Sequence, residues 1–186
     1  MQKNEIILTN HQLLLVQSTD YPITKHAIII QITQLLNELG KHLQYNIDKI
    51  NLSNCPYKIT KGENHELLPY VVLDYPKINT KEFPILLRTM FWWGKYFSFN
   101  LFIHQNIASK KLKNCQLPPN TNMLMQNNIW QQNISRRYYK PICNSDEIEP
   151  VKSGYIKLSK TIPIANYENL LELSEIYLEW LRVLCP

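Results

Sequence analysis

Glycine is scarce in this chain: 4 in 186 residues, against 11 prolines. Four scattered glycines cannot build a GxGxxG turn or a P-loop, which excludes both of those nucleotide cradles. Changes of direction fall instead to proline-set loops. Neither a GxSxG elbow nor an HExxH pair occurs, so the hydrolase and metalloprotease signatures are missing. Cys55, Cys115, Cys143 and Cys185 lie far apart, with no CxxC pair, and no two histidines stand at HxxxH spacing. That spacing argues against a zinc site and against a disulfide framework. The thiols read as reduced, several of them buried. No motif implies a metal or a cofactor.

Long apolar runs are missing too, and none approaches the roughly 20 residues that cross a bilayer. The start, "MQKNEIILTNHQLLLVQ", has an acid ahead of a very short apolar run and no small-residue cleavage site, so no signal peptide is expected. Together these point to a soluble, cytoplasmic protein away from membranes. Hydrophobic content of 45% with 19% charged residues sits in the globular range. A chain of 22.1 kDa is long enough for one ordinary core and short for two.

The most uneven absence is acidic. Residues 1 to 82 hold eight bases and eight acids, whereas residues 83 to 145 hold eight bases and no Asp or Glu. Those bases are Arg88, Lys95, Lys110, Lys111, Lys113, Arg136, Arg137 and Lys140. One sign confined to the middle third makes a positive field if folding gathers the side chains. "SRRYYK" joins Arg136, Arg137, Tyr138, Tyr139 and Lys140, a mixture suited to phosphates and stacked bases. Surface pairing with the acids of "DEIE", residues 146 to 149, is the plainer reading.

Periodicity supplies the architecture. The runs "IIL" and "LLLV" within residues 1 to 17 fit strand and helix equally. Ile28, Ile32, Leu35, Leu36, Leu39 and Leu43 make one stripe of an amphipathic helix, with Pro22 in its first turn and Gly40 near its end. "YKIT" and "PYVVLDY" flank the polar "GENH" as a hairpin would. The spacing of Phe83, Leu86, Leu87, Met90 and Phe91 predicts a short helix over 80–92, with Asn79 and Glu82 as capping residues. After Gly94 the period becomes two, and a strand is predicted with Phe97, Phe99, Leu101 and Ile103 on its oily face.

From Gln116 to Asn133, half of the eighteen residues are Asn or Gln. Residues 108–133 read as a long polar loop or insertion, with one helical turn near "MLMQNNIW". "GYIKLSK" alternates as a strand, and Asn166 can cap a final helix to Leu184 whose inner face carries Leu170, Leu173, Tyr177, Trp180, Leu181 and Leu184. The fold expected is α+β: a single domain over 1–186, mainly an antiparallel sheet packed by an N-terminal-half helix and a C-terminal helix.

Three functional readings follow. The first is a binding or interaction protein with a partly open aromatic and basic cleft around Arg88, Trp92, Trp93 and Tyr96, taking a small molecule or a protein partner. Arg beside Trp can hold anions or rings by bidentate and cation–π contacts. Core packing is the simpler reading of the same aromatics. The second is a nucleic-acid or phosphate-ligand binder through residues 110–140. The third is an enzyme using Asp74 at a strand end, Arg88 on the following helix and His104 at the end of the next strand, placements that could converge on one cleft. Against it, Asp74 suits a turn before Pro76 and His104 suits a half-exposed strand end. The sequence leaves the oligomeric state open.

Overall fold

The computed structural model of the chain describes residues 7–46, 55–78, 84–107, 115–149 and 152–184. Two helices come first, α1 (Asn10–Gln17) and α2 (Asp20–Asn46). Four strands follow as successive hairpins: β1 (Lys58–His65), β2 (Leu68–Tyr75), β3 (Ile85–Trp92) and β4 (Tyr96–His104). Two short strands, β5 (Asn122–Leu124) and β6 (Tyr139–Pro141), precede β7 (Tyr155–Ile162), and α3 (Leu170–Leu173) and α4 (Ile176–Leu184) close the order. The strands form one antiparallel sheet in the order β1-β2-β3-β4-β7-β5-β6. The fold is α+β, as expected. Among the described residues no helix is long and apolar enough to cross a membrane.

Side chains alternate across the sheet, and both faces are covered. On one face Val71, Leu73, Leu87, Phe91, Phe97, Phe99, Leu101 and Leu158 meet Leu36, Leu39 and Leu43 of α2 and Tyr177, Trp180 and Leu181 of α4. These residues form the main core. The stripe predicted for α2 supplies its share, but the helix runs through Gly40 to Asn46. Gly40 is there for closeness: a Cβ on it would stand 2.8 Å from the Tyr57 ring.

Several expected boundaries moved. Residues Ile85–Trp92 are a strand, not a helix. With both faces of β3 buried, "ILLRTMFW" is apolar almost throughout, so a helical spacing can be picked out of a run that has no period of its own. The capping pair Asn79 and Glu82, and Phe83, lie outside the described residues. "GENH" belongs to β1, and the turn falls later, at Glu66 and Leu67. The final helix is broken: a 3-10 stretch spans Ile164–Asn169, then α3 and α4 meet around Ser174, whose hydroxyl donates to the Leu171 carbonyl at 2.5 Å.

The Asn/Gln-rich stretch keeps a mostly irregular backbone where it is described, but holds the short strand β5 where a helical turn was expected. Residues 108–114 lie outside the described residues. From Cys115 the chain adds β5 and β6 to the sheet, with Leu117, Met123 and Ile142 in the main core, while residues 129–132 between those strands lie over the second face, and no helical turn forms near Met123. Trp180 of α4 anchors this segment by donating its indole N–H to the Thr121 hydroxyl at 3.0 Å. Cys55 and Cys115 are half-buried and Cys143 is exposed, all three as free thiols, in place of the buried thiols expected.

Candidate functional site

Trp93 is the hinge of the functional reading, because strand alternation separates it from its neighbours. Just past β3, it turns toward α2 and meets Phe91 edge-on, with ring centroids 6.2 Å apart. Its backbone N–H donates to the Pro69 carbonyl at 3.0 Å, which fixes the start of the β3–β4 turn. Gly94 completes that turn at φ +68°, with open space where a Cβ would stand. The result is a half-open groove of about 640 Å³ between α2, this turn and the 3-10 stretch.

Ile28, Gln31, Ile32 and Leu35 of α2 form one wall of the groove, Phe91, Trp93 and Gly94 its floor, and Ile164 and Tyr167 the other wall. No Asp, Glu, Lys or Arg lines it. Its polar groups are the Gln31 amide and the Tyr167 phenol. The phenol donates to Glu168 at 3.0 Å, and this hydrogen bond to a carboxylate holds its proton more tightly than usual. A volume in the range of about 300–1,000 Å³ with apolar walls and few polar groups is the usual form of a small-ligand site.

Arg88, Trp92 and Tyr96 point the other way, into the layer between the sheet and its 129–132 cover. Arg88 grips Asp74 with two hydrogen bonds, Nε to Oδ1 at 2.6 Å and NH2 to Oδ2 at 2.8 Å. The guanidinium also lies 4.7 Å from the Trp130 ring centroid. Cross-strand register continues this row: Asp74 faces Arg88, Arg88 faces Asn100, and Asn100 faces Ser159. Ser159 donates to the Asn100 carbonyl oxygen at 2.8 Å, and the Asn100 amide nitrogen donates to Ser98 Oγ at 3.0 Å.

Lys157 shares this layer at 1% exposure. Its Nζ donates to the Gln131 carbonyl at 2.6 Å and lies 4.7 Å from the Phe102 ring centroid. Burial, reinforced by the Arg88 charge, pulls its pKa well below the ordinary lysine value. Among the described residues no carboxylate stands at ion-pair distance from it. Tyr139 donates to the same carbonyl at 2.6 Å, and burial pushes its phenol pKa up. Tyr96 donates to the next carbonyl, that of Gln132, at 3.1 Å. Three side chains thus pin two successive peptide carbonyls of the cover.

The cleft imagined from the sequence is therefore two places. Trp93 belongs to the open groove, while Arg88, Trp92 and Tyr96 belong to the covered layer. Trp92 is 1% exposed and donates its indole N–H to the His65 carbonyl at 3.1 Å, as a core tryptophan would. Burial lowers the pKa of His65 itself. Of the enzyme trio, Asp74 and Arg88 meet. His104 lies four residues along β4 from Asn100, about 13 Å away at strand rise, with its ring against Tyr155.

In the basic segment, Lys140 pairs with Glu149, the pairing expected from "DEIE", and Tyr139 is buried. Arg136 and Arg137 are exposed, with the Arg137 guanidinium 5.3 Å from the Tyr138 ring centroid. Sequence reasoning missed Gln31 of α2 and Ile164 and Tyr167 of the 3-10 stretch, two segments that only folding brings together. Lys157 had one signal, a lysine on the polar side of an alternating strand, and alternation alone carries no sign of a cover. Compared with protein-family models, with curated proteins and with solved structures, the chain matches none of them.

Proposed function

We propose that this chain is a cytoplasmic binding protein whose site is the groove between α2, the Trp93–Gly94 turn and the 3-10 stretch, and that it takes an uncharged, apolar partner. One observation carries the reading: an open space of about 640 Å³ walled by isoleucine, leucine, phenylalanine and tryptophan with no charged side chain in its lining. An anion or cation would be desolvated there without a counter-charge, whereas apolar surface gains roughly 25 cal/mol for each Å² removed from water. Gln31 and Tyr167 can fix the polar end of an otherwise oily molecule. The free thiols suit a reducing compartment.

A titration with the neutral dye Nile red, at sub-micromolar protein, tests this. Saturable binding is expected, weakened at least ten-fold in both Trp93→Ala and Ile28→Glu and unchanged in Trp130→Ala, which alters the opposite face. Equal binding by all four proteins would remove the groove as the site. A second reading rests on Arg136 and Arg137, both exposed and free of ion pairs among the described residues. It narrows the phosphate or nucleic-acid site to these two arginines and Tyr138. Affinity for an oligonucleotide that falls steeply with salt, with a slope reduced by about two in the double alanine variant, would support it.

A further inference from the structure

The first helix, α1 (Asn10–Gln17), has no buried side chain among the described residues. Leu14 is 67% and Val16 73% exposed, with Leu13 and Leu15 near half, and Ile7 and Leu8 are open just before the helix. Tyr21, Ile23 and Ile30 extend the apolar surface along α2. An isolated helix of eight residues is well short of the ~12–15 at which helices become even marginal in water. The capping box of Thr9 and Gln12 satisfies its first turn but supplies no packing.

Shape says what could cover it. Leu13, Leu14, Leu15 and Val16 are consecutive, and at 100° per residue they point to nearly every side of the helix. Four apolar residues in one turn leave no polar side at that level, so a concave surface covers more of them than a flat one does. The same chain carries an open, uncharged, apolar groove, and residues 7–19 contain no Asp, Glu, Lys or Arg. Neither surface would strand a charge in the other. The link from α1 to α2 is only Ser18 and Thr19. No residue of the arm is buried against the described body, and none lines the chain's own groove.

We propose that the occupant of the groove is α1 of a second copy, exchanged reciprocally, so that each arm lies in its partner's groove. This rests on the reading of the groove as the binding site. One arm and one groove per chain close as a two-fold dimer with neither surface left over.

Sedimentation velocity of the full chain tests this. A species of twice the 22.1 kDa chain mass is expected at tens of micromolar. Leu14→Glu with Val16→Glu changes only exposed positions, and Ile28→Glu changes the groove wall. Each variant alone should dimerise at least ten-fold more weakly. Mixing the two should restore hetero-dimers through the one intact arm and the one intact groove. A wild-type chain that stays monomeric, or a dimer indifferent to Ile28→Glu, overturns the exchange. Nile red separates the two ideas: an arm-variant monomer that binds dye keeps the groove as a site even if no dimer forms. Failure of every variant to bind dye brings down the groove reading itself. If the exchange holds, the arm variant binds dye more tightly than concentrated wild type, whose grooves are filled.

Discussion

Lys157 is a lysine in a place that rarely holds one, between the Phe102 ring and the Gln131 carbonyl, with the Arg88 charge acting on it. Its native pKa is lowered, so the unfolded chain binds more protons across the window from that lowered value to about 10.4. Stability therefore climbs with pH through the window, and below it the full cost of burying the amine is present. Lys157→Met keeps the length of the side chain and removes the charge, while Tyr139 still satisfies the Gln131 carbonyl. Urea melts at pH 7 are expected to show the variant about 1–3 kcal/mol more stable. That advantage should shrink by pH 9.5. A variant less stable than wild type at pH 7 would mean that the ammonium holds the cover in place by more than its burial costs.

At the level of elements, the β1–β2 turn stands out among the described residues as a local conformation that its residues do not favour. Glu66 and Leu67 both take positive φ, 50° and 68°, where two-residue hairpin turns usually carry Asn-Gly. Leu67 is almost fully exposed and contributes no packing to offset its strain. Leu67→Gly relieves the left-handed strain at a smaller entropic cost, and a gain of about 0.5–1 kcal/mol in thermal or urea unfolding is expected. A loss would show that the leucine is gripped by a partner. This turn also shows where sequence reading fails. Its place was put at "GENH" because polarity marks loops, whereas β1 is an edge strand that can be polar and still pair. The α2 stripe was legible because that helix has one buried face, and the β4 alternation because its second face, though also buried, carries the polar Ser98 and Asn100. β3 was not, since both of its faces are buried and apolar apart from Arg88 and Thr89, and α1 could have been read from the Thr9-x-x-Gln12 capping box. The groove could not be, because its walls come from residues 28–35, 91–94 and 164–167.

At the scale of the whole molecule, the sheet has two unlike faces. One is packed by α2 and α4 and leaves a groove open at its edge. The other is closed by residues 129–132 over a row of hydrogen-bonded polar side chains, where Gln132 Oε1 and His65 Nε2 are the buried side-chain atoms left without a hydrogen bond among the described residues. The proposed binding therefore falls on the first face and cohesion on the second. Methyl spectra of protein labelled at isoleucine δ1 carbons, recorded while N-phenyl-1-naphthylamine is added, test this division most directly. Ile28, Ile32 and Ile164 line the groove, and Ile129 packs on the second face. The expected result is shifts that saturate at the three groove methyls while Ile129 stays still. Shifts centred on Ile129, with the groove methyls unmoved, would contradict it.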